Sequence, residues 1–236
     1  MAMRPYENPH ATFINGLLNY SFLIWALTVR ALREASGGAM LGVLRGIVMA
    51  AAFCIAFYFV MNFFGLGGLT VRGDMMVIIL IGVGFFFMMK FTMIAAMQAM
   101  QKSWGLSAHP HLSPVIFVYA ESLAVLYNWT IAISVIYLAN GLIKGSFDLQ
   151  QPIMFFPTFF LCWLIGVGVG MVIGFLLFYF SWFMMVKRIL FKLMFFTSGK
   201  FTNANLIPND MLLIFLWNPL FHLIDQMRDA AFVNYT

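Results

Sequence analysis

Charged side chains are scarce in this sequence: only 9% of the 236 residues are Asp, Glu, Lys or Arg, against about 25% in a soluble domain. With 63% hydrophobic residues and a mean hydropathy of +0.94, that shortage excludes a water-exposed globular surface and leaves an integral membrane protein. Cysteine is equally thin, since Cys54 and Cys162 stand alone inside apolar runs. With no CxxC pair and no histidine beside them, neither a disulfide nor a metal site is expected, and both read as small buried hydrophobes. The chain also lacks a GxxxxGK[ST] phosphate loop, an HExxH helix and a Ser, His and Asp set, so no catalysis and no bound cofactor are expected of it. Residues 1–10 lack the layout of a cleavable signal peptide. The net charge of +5 would suggest nucleic acid in a soluble protein. Here the basic residues flank apolar runs, which is how orientation in a bilayer is set, and no nucleic-acid partner is expected.

What the chain does have is helical periodicity. The expected fold is all-α, a polytopic membrane helical bundle forming a single transmembrane domain. In 13–34, Ile14, Leu18, Phe22, Trp25, Val29 and Leu32 recur at spacings of three and four, with Asn15, Asn19, Arg30 and Arg33 opposite. That pattern describes an amphipathic helix lying in the membrane interface. Spans are expected at 40–64, 75–97, 115–143 and 158–181, with a short fifth at 185–200. Arg45 snorkels near the start of the first span. Lys90, in the lower half of the second, either snorkels or faces a partner or cavity, and Glu121 is the one carboxylate well inside a span. Gly166, Gly170 and Gly174 repeat every four residues, so another helix can approach closely.

Two stretches break this regularity. Residues 98–114 form the longest polar connection; Met97, Met100 and Trp104 continue the second helix amphipathically until Gly105, and His109 and His111 lack a third metal ligand. Residues 198–229 cannot form a simple span. Pro208 heads a short helix, seven apolar residues run from Met211 to Trp217, and Asn218-Pro219 ends them. Beyond the break Leu220, Leu223, Ile224 and Met227 fall on one face, and His222, Asp225, Gln226 and Asp229 on the other. Two short kinked helices follow for 206–229, dipping into one leaflet or lying on it. Irregular backbone at membrane depth needs protein or a water-filled cavity around it, so the segment points to a pathway or its rim. With residue 1 cytoplasmic, Arg4, Arg30, Arg33, Arg45, Lys102, Lys187 and Arg188 lie inside, and Arg72, Lys144, Lys200 and Arg228 outside. The excess inside supports that orientation.

In order, the interfacial helix running into LGVLRGIVMA, two spans, QAMQKSWGLSAHPHLSP opening the third, a glycine-rich fourth, and FFTSGKF before NPLFHLIDQMRDAAF resemble the permease subunit of ABC-2-type exporters. The group exporting capsule, O-antigen and teichoic acid polysaccharides is the nearest in kind. The resemblance implies a bacterial cytoplasmic (inner) membrane location, a channel between two copies of the chain, and two ATP-binding subunits that carry ATP and Mg. It implies that Met97, Met100, Lys102, Trp104 and His109 form the surface receiving the ATPase's motion, and that Trp25, Arg30 and Arg33 belong to a gate-forming interfacial helix. Pro208, Asn218, Pro219, His222, Asp225 and Arg228 would lie in re-entrant outer helices closing the exit. A sixth family span beyond them is absent from these 236 residues.

The aromatics Phe53, Phe57, Tyr58, Trp163 and Phe175 are candidates to line a sugar path, because sugar C–H faces pack on aromatic rings; plain packing or lipid contact is the alternative for each. Membrane lipid and a glycan substrate are the other expected partners. Export of a drug, lipid or other small amphiphile is the second reading. A stand-alone ion- or proton-coupled carrier or channel, for which Glu121 and Lys90 would be essential, is a reading from a different class, and a membrane anchor or assembly subunit with no pathway is another.

Overall fold

The computed structural model describes residues 9–34, 39–63, 75–105, 113–145, 151–199 and 209–232, and within these the chain is all-helical. The helices are α1 (Pro9–Glu34), α2 (Ala39–Phe63), α3 (Met75–Gly105), α4 (Pro114–Lys144), α5 (Pro152–Tyr179), α6 (Phe183–Thr197), α7 (Asn209–Leu216) and α8 (Pro219–Ala231). Four of them, α2 to α5, are long and apolar enough to cross a membrane, which makes this a multi-pass membrane protein.

α3 is the axis. Of its most apolar stretch 83% is buried by the other helices, against 17% for α2. α4 and α5 cover most of it, and α2 and α8 add smaller seams. The α3–α5 seam is close because of the glycine row. A Cβ on Gly166 would meet the Met89 carbonyl and Thr92, one on Gly170 would meet Met93 and Ala96, and one on Gly174 would meet Met97 and Met100. The two sets of numbers rise together, so α3 and α5 run parallel, with α4 antiparallel between them in sequence. A stack of rings closes the other side: Phe53 of α2 lies 4.2 Å from Phe87, and Trp129 of α4 lies 6.0 Å from Phe87 and 5.7 Å from Phe91. These are ordinary ring-contact distances.

The termini follow local chemistry. Pro114, Pro152 and Pro219 open their helices, where the missing N–H has no intrahelical partner to lose. α4 stops at Gly145, whose φ of 70° places it in the left-handed region and lets its N–H bond the Gly141 carbonyl. α5 starts six residues before the expected 158, with Pro157 in its second turn, where the ring removes one bond to the Ile153 carbonyl and crowds that carbonyl. α6 differs from the expected fifth span. Its fifteen residues reach about 22 Å at 1.5 Å per residue, short of the roughly 30 Å of hydrocarbon.

α1 packs along α4 and α2, burying Thr28 and Ala31, while Leu18, Phe22 and Trp25 stay exposed. At one end of the bundle lie the C-terminal end of α1 and the start of α4, with the end of α3. At the other, the Gln151 N–H ahead of α5 donates to the Ala230 carbonyl of α8 at 3.1 Å.

The glycine row generates a paired test. Gly170→Ala puts a methyl 2.7 Å from the Ala96 Cβ and the Met93 carbonyl and should cost about 1–3 kcal/mol. Gly168→Ala meets nothing within 4 Å and should be neutral or slightly stabilising. Thermal unfolding of the two variants in detergent measures the difference.

Candidate functional site

The first site is the junction of α6, α7 and α8. α6 runs antiparallel to α3: its Phe195 ring contacts Phe86 at 5.3 Å, and Phe191 and Met194 line a small cavity with Met89, Lys90, Met93 and Leu220. It therefore ends partway along α3, near the level of Phe86, where Asn218 meets it. The Asn218 side chain accepts from the Leu220 N–H at 3.0 Å and donates to Thr197 Oγ1 at 2.9 Å and to the Met194 carbonyl at 3.4 Å. One residue thus caps α8 and ties it to the last turn of α6. From that point α8 runs to the bundle end at Gln151, a half-length helix of about 20 Å.

α8 buries Leu220, Leu223, Ile224 and Met227 against the bundle and exposes His222, Gln226 and Asp229, with Asp225 half-buried, as the face pattern predicts. His222 Nε2 lies 2.9 Å from the Leu216 carbonyl, bracing the turn between α7 and α8. Arg228 behaves otherwise than a flanking surface cation. It is 1% exposed, and its Nη1 donates to the Gly199 carbonyl at 2.9 Å. Gly199 itself has φ of 65°, and a Cβ there would strike the Phe221 ring at 2.4 Å, so only glycine fits. The Ser198-Gly199 pair is the sequence signal for this contact, but nothing in it names Arg228 as the partner. Pro219 is exposed, and Trp217 at the turn is 89% exposed.

The second site is a charged cluster at the opposite end of the bundle. Arg30 Nε donates to Glu34 Oε1 at 2.6 Å, and Lys102 Nζ lies 3.8 Å from Glu121 Oε1. These four side chains, with Leu27, Ala31, Phe117 and Ala120, surround a cavity of about 80 Å³. The Glu34 hydrogen bond and charge raise the Arg30 pKa, with Glu121 adding a smaller effect. Arg33 is exposed beside the cluster. Glu121, about two turns into α4 as expected, is therefore an ion-pair partner of Lys102 near the bundle end.

The remaining sequence-derived residues are spread out. Met97 lies inside the α3–α5 region with Ile173 and Leu177, and Met100 sits half-buried over Gly174. The exposed part of this turn is Gln98, Gln101 and Lys102. The Trp104 side chain, His109 and Pro208 fall outside the described residues. Among the aromatics, Phe53 and Phe57 are half-buried on α2, with Phe53 stacked on Phe87. Trp163 is buried and donates from Nε1 to the Ser122 carbonyl at 2.9 Å, a seam between α4 and α5 that sequence periodicity does not reveal. Tyr58 and Phe175 are exposed on different helices. A separate apolar cavity of about 270 Å³ opens between α3, α4 and α5, lined by residues such as Leu80, Phe85, Ser134, Tyr137 and Phe156. Among the described residues no three His, Cys, Asp or Glu side chains converge as a metal site. The chain matches no protein-family model and no curated protein.

Removing the cap tests the junction. Asn218→Ala should destabilise the start of α8 by about 1–2 kcal/mol, which corresponds to a roughly fivefold to thirtyfold shift in local opening. Hydrogen exchange at the Leu220 to Ile224 amides reads it directly.

Proposed function

We propose that this chain is the membrane-spanning permease subunit of an ATP-driven exporter of the ABC-2 type. Two copies form between them the channel for a lipid-linked polysaccharide or similar cell-surface glycan. ATP and its Mg ion are bound and hydrolysed on two copies of a separate ATP-binding subunit. The chain lies in the lipid of a bacterial cytoplasmic membrane with residue 1 inside.

The observation that carries this reading is the interrupted backbone partway along α3, where α6 ends and α8 begins. Such a break is stable only within protein or beside water, and a mere anchor has no use for one. We read α7 and α8 as the re-entrant pair and α1 as the interfacial gate helix. The orientation draws support from the cations at the charged end, Arg30, Arg33 and Lys102. The pairing of Glu121 with Lys102 weighs against a proton-coupled carrier, which needs a titrating group inside the span. Export of a small amphiphile is the second reading, favoured by the apolar cavity of about 270 Å³.

Affinity purification of the tagged chain from native membranes in mild detergent should recover a stoichiometric Walker-motif subunit with ATPase activity. Lys102→Glu, at an exposed position beside Glu121, should lower that recovery about tenfold, since opposed charges at an interface act on both encounter and retention. Glu121→Gln should leave it within about twofold, the scale of a partly exposed ion pair. A chain that purifies alone, without ATPase activity, from membranes expressing its neighbours would overturn the exporter assignment.

A further inference from the structure

Lys90 is a half-buried cation inside a span, and the exposed Lys192 of α6 lies at a similar level, next to Phe191. Seven residues separate Lys90 from the expected end of the span at 97, about 10 Å along α3, in a hydrocarbon layer whose half-thickness is about 15 Å. Snorkelling toward that end would need the side chain to extend along the helix toward Lys102. Instead its Nζ lies 5.5 Å from the centre of the Phe87 ring, one turn back toward the start of α3, and 5.9 Å from Phe91. The side chain follows the usual lean of helical residues toward their own N-terminus, and so points deeper into the membrane.

Lys90 has no carboxylate within ion-pair distance among the described residues. It is half-buried, on the side of α3 that faces α6 and the start of α8, beside Phe191, Met194 and Leu220. Two ring faces attract a cation by about 0.5–2 kcal/mol each, while an ammonium at the bilayer centre costs about 2.5–3.5 kcal/mol even on the most lenient scale. A purely lipid-facing Lys90 would thus be near break-even on these ranges. It also stands near a break in the helical backbone, the Thr197 to Asn218 junction.

We propose that the side of α3 carrying Lys90 forms a wall of a water-filled path in the assembled protein, and that Lys90 attracts anionic groups, phosphate or carboxylate, passing along it. This deepens the permease assignment by giving its channel a wall and a charge. The test below needs no ATP-binding subunit, so the two fail separately.

The test is thiol accessibility in native membrane vesicles, with the parent chain as the blank because Cys54 and Cys162 are buried. Lys90→Cys should react with a membrane-impermeant methanethiosulfonate reagent. Ile94→Cys, one turn further on and half-buried, should react about tenfold faster with the anionic sulfonatoethyl reagent than with the cationic trimethylammonioethyl one, after normalisation to a free thiol; that ratio corresponds to about 1.4 kcal/mol between two reagents that differ by two charges, or about 0.7 kcal/mol per unit charge. Adding Lys90→Gln should bring the ratio to about one, and Lys90→Arg should preserve it. Labelling of Lys90→Cys only by a membrane-permeant maleimide would place the residue in lipid and overturn the proposal. So would an Ile94→Cys preference that Lys90→Gln leaves unchanged. The double variants at Ile94 read the same charge if Lys90→Cys alone fails to fold.

Discussion

The close approach of α3 and α5 is the constraint on which the other elements depend. Three glycines at i, i+4 and i+8 let backbone meet backbone over Met89 to Met100, and without a hydrophobic driving force between helices in lipid, such van der Waals contact is a main source of association. With α5 drawn in on one side and the Phe53, Phe87 and Trp129 stack holding α2 and α4 on another, α3 is nearly enclosed. What remains open is the side carrying Lys90. α6 and α8 are both too short to cover it from end to end.

That shortness has a structural consequence. Two half-length helices leave their ends inside the bundle, where orphan backbone groups have no bulk water to satisfy them. Asn218 answers for both by capping α8 and donating to the last turn of α6, and Arg228 answers for the Gly199 carbonyl. Both polar residues are buried for this reason. Two ion pairs, by contrast, lie at the far end of the bundle, where α1, α3 and α4 meet around Glu121.

Periodicity alone was enough for much of this. The four long apolar helices, the break at Asn218-Pro219 and the buried and exposed faces of α8 all follow from side-chain spacing, because a 3.6-residue period and a missing proline N–H act locally. The glycine row likewise announced a close helix contact. It did not say that the partner is α3, nor that the two run parallel, since one helix's surface carries no name for what meets it. The start of α5 was misplaced because two prolines look like a linker unless their positions in the first and second turns are known.

What the sequence by itself determined is the class of solvent and the elements: a membrane protein of apolar helices with one interrupted segment, set by hydropathy and local stereochemistry. Only the tertiary structure decided which charges pair and which do not. Arg228 became a buried backbone clamp, Glu121 a partner of Lys102, and Met97 a filler of the α3–α5 region, while Lys90 was left half-open over two rings. The first three of those outcomes depend on contacts between residues from 19 (Lys102 and Glu121) to 80 (Met97 and Leu177) positions apart, which spacing along the chain cannot encode.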